Sequence, residues 1–305
     1  MSSVAVTAQT AGPGAAKAAV RRRTRRSYGA GTRRAGWIVY ALLGTTLLIS
    51  VFPLYFTLLL GSSDPVAISQ NAVPQWLPDL SLFTQFRTVI EATQINFWLA
   101  LVNSLIIAIV VSASVVLFST LAGYSFAKLR FRGRGPLLVF VIATMAVPTQ
   151  LGVIPLYILM SDLDWIGKLH AVIVPGLVAA FGVFWMTQYL SEALPYELIE
   201  AARVDGASMI RTFWSIALPA ARPAAAMLGL FTFVQQWTNY FWPSIVLNSE
   251  NPTLPLVVKS LQSNYFVDYS LVMGGVFLVT LPLLVIFAFV GKQLVAGIMQ
   301  GAVKG

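Results

Sequence analysis

Hydrophobic positions in this chain form long unbroken runs rather than the stripe of an amphipathic surface helix. Six stretches, residues 37–60, 92–127, 135–161, 171–191, 223–249 and 269–291, contain no Asp, Glu, Lys, Arg or His. Each can cross a bilayer as a helix, which takes about 20 apolar residues. They predict spans of about Trp37 to Leu60, Trp98 to Ala127, Pro136 to Met160, Ala171 to Leu190, Ala224 to Ser244 and Leu271 to Val290. Between the first two, Pro65, Pro74 and Pro78 predict a loop with one short interfacial helix. Pro148, Pro155, Pro175 and Pro282 fall inside or near spans, where proline bends a membrane helix or breaks it beside a cavity.

Composition sharpens this to an all-α polytopic membrane protein. Of the 305 residues, 57% are hydrophobic and 10% charged, against about 25% charged in soluble domains. Of the 20 Lys and Arg residues, all but Arg87, Lys168 and Lys259 fall on the side that carries both ends of the chain. By the positive-inside rule both termini are cytoplasmic. Of the acidic residues, only Glu192, Glu197, Glu200 and Asp205 lie on that side, so the net charge of +9 is mostly topology.

The arginines between Arg21 and Arg34 stand just before the first span, where topology alone places them. They therefore read as a bilayer-orienting signal with weak contact to acidic lipid rather than as a nucleic-acid site. Residues 1–36 read as a disordered basic tail and not as a cleaved leader, since the apolar run after it reaches spanning length. Zero cysteines exclude thiol catalysis and Cys-ligated metal, and lone His170 has no second His or Cys beside it, so no metal site is expected.

The cytoplasmic segment 191–222 is the most informative part of the chain. Pro195 suits a helix start, residues 196–204 are good helix formers, and Asp205-Gly206 forms the turn that ends them, with Gly206 left-handed. A second helix, about Ala207 to Leu218, is expected to stop at Pro219. Glu197 and Glu200, at i and i+3, share a face with small neighbours Ala201 and Ala202, which would let another surface approach closely. The plainer reading is an exposed helix with an ordinary Glu200–Arg203 pair.

Glu200-Ala201-Ala202, three residues, Gly206, nine residues, then Ile216-Ala217-Leu218-Pro219 resembles the EAA loop of ABC-importer permeases at every marked position. Together with "NSL" at 103–105, "AGYSFAKLRFRGR" at 122–134, "WTNYFWP" at 237–243 and the terminal "GAVKG", it is similar to the second permease subunit of maltose-type carbohydrate importers, over roughly residues 37–305. The resemblance implies a bacterial cell-membrane protein with a permease domain over 37–296 and a C-terminal cytoplasmic tail over 297–305. It implies four kinds of partner: a homologous second permease, two ATPase subunits, an extracytoplasmic solute-binding protein and the lipid bilayer. It implies that Glu197, Glu200, Ala201, Ala202, Asp205, Gly206 and Pro219 belong to the coupling element, with Glu200 meeting a basic residue of the ATPase. ATP and Mg would be used by that ATPase, with no cofactor bound by this chain.

The residues also limit what is carried. No span has a titratable group for proton or cation coupling, and no G-x-x-x-x-G-K-[ST] phosphate loop is present. A lone secondary transporter and an intramembrane enzyme therefore fit poorly. A path lined by amides, hydroxyls and aromatics suits a neutral polyhydroxylated solute. If residues 224–244 are one helix, Gln235, Thr238, Asn239 and Trp242 share a face, with Trp237 and Tyr240 available to stack on a sugar ring. Helix–helix packing explains such a stripe as well. Asn103, Ser104 and Gln188 read as packing residues. The outside segment 247–269 lies where related permeases contact the solute-binding protein.

Overall fold

The computed structural model describes residues 36–70, 75–91, 96–262 and 267–302, and these residues are helical, with no strand among them. Except for Gly36, the basic tail lies outside the described residues, as do 303–305. In chain order the helices are α1 (Trp37–Gly61), α2 (Pro65–Gln70), α3 (Ser81–Glu91), α4 (Phe97–Lys128), α5 (Arg134–Thr144), α6 (Val153–Asp162), α7 (His170–Gly176) and α8 (Ala180–Ala193). They continue with α9 (Tyr196–Val204), α10 (Met209–Thr212), α11 (Leu218–Trp237), α12 (Phe241–Val246), α13 (Leu254–Ser260) and α14 (Tyr269–Ala302).

Five helical stretches are long and apolar enough to cross a membrane: α1, α4, α7 with α8, α10 through α11, and α14 up to Phe289. The sixth expected span is broken. Its halves, α5 and Thr149–Asp162, meet at 87° around Pro148. α14 does not stop at the membrane edge but continues as helix through the first six residues of the expected C-terminal tail. The loop after α1 holds two short helices, α2 and α3, rather than one.

Contacts divide the chain at Pro53. The described part of the first unit is the beginning of α1, whose Leu42, Leu47, Leu48 and Ile49 are exposed; everything from Leu54 onward forms the second. Within the second unit α4 is the central post. Asn96 caps its start, its side chain accepting from the Leu99 N–H at 3.0 Å. α8 and α11 pack along it. The α4–α8 contact depends on missing side chains: a Cβ on Gly123 would lie 2.7 Å from Met186 Cβ, and one on Gly182 would lie 2.3 Å from Ser119 Oγ. Such small residues let backbones approach in a membrane, where no hydrophobic drive pulls helices together.

Two cores result, one running along α4 from Ile107 to Ala127 and one around its start. Tyr124, Met186, Leu190, Leu194, Ile199 and Phe213 pack at the end that carries the basic turn after α4. Phe97, Phe233, Trp237, Leu254, Val257 and Val272 pack at the other.

Pro219 does not end the second helix of the 191–222 segment. Met209 to Trp237 is one continuous spanning stretch, because residues Phe213–Ala217 form a π turn in which the Leu218 N–H reaches back to the Phe213 carbonyl. The widened turn absorbs the hydrogen bond and the space that the Pro219 ring would otherwise disrupt.

Candidate coupling surface and solute path

α9 is positioned by what lies beneath it. Pro195 is extended (φ −60°, ψ 144°) and turns the chain out of α8. Leu194, Ile199 and Phe213 then pin the helix to the core. Lys128, only 4% exposed, donates from Nζ to the Ser191 carbonyl at 3.0 Å and stands 4.5 Å over the Tyr196 ring. The Tyr196 hydroxyl returns a bond to the Ala127 carbonyl at 3.0 Å. One buried cation thus ties the end of α4 and the end of α8 to the start of α9. Charge counting uses Lys128 only as one of the basic residues that orient the chain; its neighbours, an aromatic ring and a carbonyl near the end of α8, come together only in the fold.

The helix ends as the sequence predicts. Gly206 is left-handed (φ +77°), the Ala207 N–H donates to the Ala202 carbonyl at 2.8 Å, and the Gly206 N–H donates to that of Arg203 at 3.0 Å. This pair of bonds is a Schellman closure. Nothing lies within 4 Å of where a Gly206 Cβ would sit, so the demand for glycine is conformational. Gly206→Ala is expected to cost about 1–2 kcal/mol. Gly206→Asn, which tolerates this backbone, should recover most of it; thermal melts of the purified variants give the comparison.

The outward face of α9 carries Glu197, Glu200, Ala201 and Val204, all exposed. Ala202 is buried instead, so its small side chain serves packing within this chain and not the approach of another surface. The Glu200–Arg203 pair does not form. Among the described residues the ion pairs are Arg87–Glu91 at 2.8 Å and Asp164–Lys168 at 3.1 Å, both at i and i+4. Glu197, Glu200 and Asp205 are left with free carboxylates beside exposed Leu198, Val204 (89%), Met209 and Ile210 (73%). That apolar collar was missed in the sequence, although Val204 and Ile210 each stand next to a charged residue in an otherwise polar turn.

The expected stripe on the fifth span is not a single helix face. α11 ends at Trp237; Thr238 caps it, and Asn239 and Tyr240 lead into α12. Trp237 is 2% exposed, stacks on Phe233 at 5.7 Å and donates from Nε1 to the Val279 carbonyl at 3.3 Å. Trp242 donates to the Ala171 carbonyl at 2.9 Å. Gln235 is exposed on α11 and Asn239 half-buried. Thr238 and Tyr240 line a largely apolar cavity of about 340 Å³ with Val258, Lys259, Val279 and Leu283.

Asn103 and Ser104 are packing residues, as expected. Asn103 donates to the Pro252 carbonyl at 2.9 Å and Ser104 accepts from the Leu254 N–H at 2.9 Å, fastening the loop before α13 onto α4. Gln188 is exposed on α8. His170 meets the Trp165 ring edge-on at 4.8 Å, and no metal-holding group of side chains exists among the described residues.

Five or six membrane-crossing helical stretches among the described residues define a multi-pass membrane protein. Residues 116–295, more than half of the chain, match the family described as the binding-protein-dependent transport system inner membrane component, and the chain belongs to it. It is 34% identical over 268 residues to the lactose transport system permease protein LacG of Rhizobium radiobacter, covering 88% of this chain and 96% of that one. It is 30% identical over 271 residues to the arabinooligosaccharides transport system permease protein AraQ of Halalkalibacterium halodurans, again covering 88% and 96%. The fold matches a crystal structure of a bacterial ABC transporter involved in alginate import, with TM-score 0.70 at 23% identity, covering 86% of this chain and 99% of that one.

Proposed function

We propose that this chain is one permease half of an ATP-driven carbohydrate importer of the bacterial cell membrane. It pairs with a homologous permease, takes solute from an extracytoplasmic binding protein, and couples to separate ATPase subunits through residues 191–222. The observation that carries this reading is the outward face of α9, with free carboxylates at Glu197 and Glu200 and exposed Val204, on a helix braced from below by buried Lys128 and followed by exposed Met209 and Ile210 on α10. Exposed apolar side chains that a partner can desolvate, with charges able to pair beside them, are what a protein interface is built from. With both termini cytoplasmic, this face meets the ATPase, where the nucleotide and its Mg are held.

Carbohydrate as cargo is supported by the names of LacG and AraQ and by the six long apolar runs, residues 37–60, 92–127, 135–161, 171–191, 223–249 and 269–291, which hold no Asp, Glu, Lys, Arg or His. Uptake of labelled lactose and arabinooligosaccharides by cells with and without this subunit tests it. Energy-dependent uptake of a neutral sugar, lost with the subunit and competed by related sugars but not by amino acids, is the expected result. Loss confined to a different neutral polar solute would move the assignment to that cargo and leave the coupling mechanism standing.

A further inference from the structure

We propose that the cavity between the end of α11, α13 and α14 holds an acyl chain of an anionic phospholipid from the leaflet opposite the termini, its head group met by Lys259. This rests on the topology read from the charges, not on the importer reading. The cavity measures about 340 Å³ and its walls are largely apolar. Val276, Val279, Thr280 and Leu283 line it at i, i+3, i+4 and i+7, which is one face of α14. They cover about 10 Å of helix at 1.5 Å per residue, within the roughly 15 Å that one leaflet contributes to a hydrocarbon core.

The donors in these walls are already used. Thr238 donates to the Val234 carbonyl at 2.9 Å, Thr280 to the Val276 carbonyl at 2.7 Å and Trp237 to the Val279 carbonyl at 3.3 Å. What they leave is a poor surface for a sugar, whose hydroxyls need partners, and a good one for a hydrocarbon chain. Among the described residues that line the cavity Lys259 alone is charged, and it is exposed, as are Tyr240 and Gln262. The side opposite the termini carries three cations, Arg87, Lys168 and Lys259. Arg87 is paired with Glu91 and Lys168 with Asp164. Lys259 has no ion-pair partner among the described residues, which include all 11 Asp and Glu. The positive-inside rule disfavours a cation on this side, so a lysine at the mouth of an apolar cavity is not a by-product of topology. An acyl chain joined to an anionic head group is the amphiphile that a membrane supplies to such a site.

The test uses the full-length chain, with whatever subunits purify with it, in phosphatidylcholine vesicles. These are doped with a photoactivatable diazirine-acyl lipid that bears either a phosphatidylglycerol or a phosphatidylcholine head group, and crosslinked peptides are mapped by mass spectrometry. The expected result is labelling of residues 276–283 with about a fivefold preference for phosphatidylglycerol, the effect of one lysine near an anionic surface. Lys259→Gln should abolish the preference, Lys259→Arg should keep it, and Lys168→Gln, at a cation already paired, should change nothing. Thr280→Phe, which fills the cavity, should remove the labelling of 276–283 while that of exposed Leu47 and Leu48 on α1 persists. Equal labelling by both lipids, or labelling indifferent to Lys259 and Thr280, would overturn the inference and assign the signal to bulk lipid. No labelling of 276–283 beside a labelled α1 would overturn it too, and give the cavity to a protein segment. Lys259 is exposed, so if Thr280→Phe fails to fold, the Lys259 variants still decide. Recovery of an ATPase with the chain is scored separately, so the importer reading stands or falls apart from this one.

Discussion

Replacing Glu200 by alanine is expected to cut solute uptake at least about tenfold, equivalent to ~1.4 kcal/mol of lost coupling, without lowering the amount of folded subunit. The asymmetry follows from where Glu200 sits. It is exposed, makes no ion pair or side-chain hydrogen bond with the described residues, and alanine is the better helix former. Its removal therefore leaves α9 in place, held by Lys128, Ile199 and the Gly206 turn. What it removes is a free carboxylate on the outward face of α9 that the importer reading pairs with a basic residue of the ATPase, and truncating one member of a buried charge pair typically costs about 2–5 kcal/mol. Uptake by variant-expressing cells, normalised to subunit in the membrane, checks it. Val204→Glu, which puts a second carboxylate into the collar, should fail in the same way.

The second large effect is on folding. Gly123→Val is expected to abolish recovery of monodisperse protein. Its Cβ would stand 2.7 Å from Met186 Cβ and 2.8 Å from the Met186 carbonyl carbon, so α8 must move away from α4. No rotamer relieves a clash with backbone, and because α4 and α8 share the core beneath α9, their separation loosens the coupling element as well. Gly44→Val on α1, where nothing lies within 4 Å, is the control and should behave as wild type. Size-exclusion profiles of tagged variants in detergent decide the matter.

Sequence legibility followed the range of the interactions. The spans could be read because a charge in hydrocarbon is excluded whatever the tertiary structure. The Gly206 turn could be read because the left-handed backbone is a one-residue property. Asn103 and Ser104 could be assigned to packing by residue type, but that they hold the loop before α13 needed the fold.

What failed depended on neighbours far along the chain or on a local break. The fifth-span stripe assumed one helix, yet Pro243 cannot donate to the Asn239 carbonyl and α11 had already ended at Trp237. With that break, Trp237 and Trp242 were free to turn into two different packing sites. Ala202 looked like an interface residue until docking on the core fixed which way α9 faces. The expected stop at Pro219 was overridden by a π turn over Phe213–Ala217, which accommodates the proline inside a continuing helix. Pro148 marked the third-span break, though its angle of 87° is not a property of the proline alone.

The most direct measurement is purification of the tagged wild-type chain from its native membrane in mild detergent, with identification of what comes with it. Recovery of a homologous permease and an ATPase, with ATP hydrolysis that Glu200→Ala uncouples from solute, is the predicted result. A stable chain that purifies alone and is indifferent to Glu200→Ala would contradict the assignment of α9 as a coupling helix.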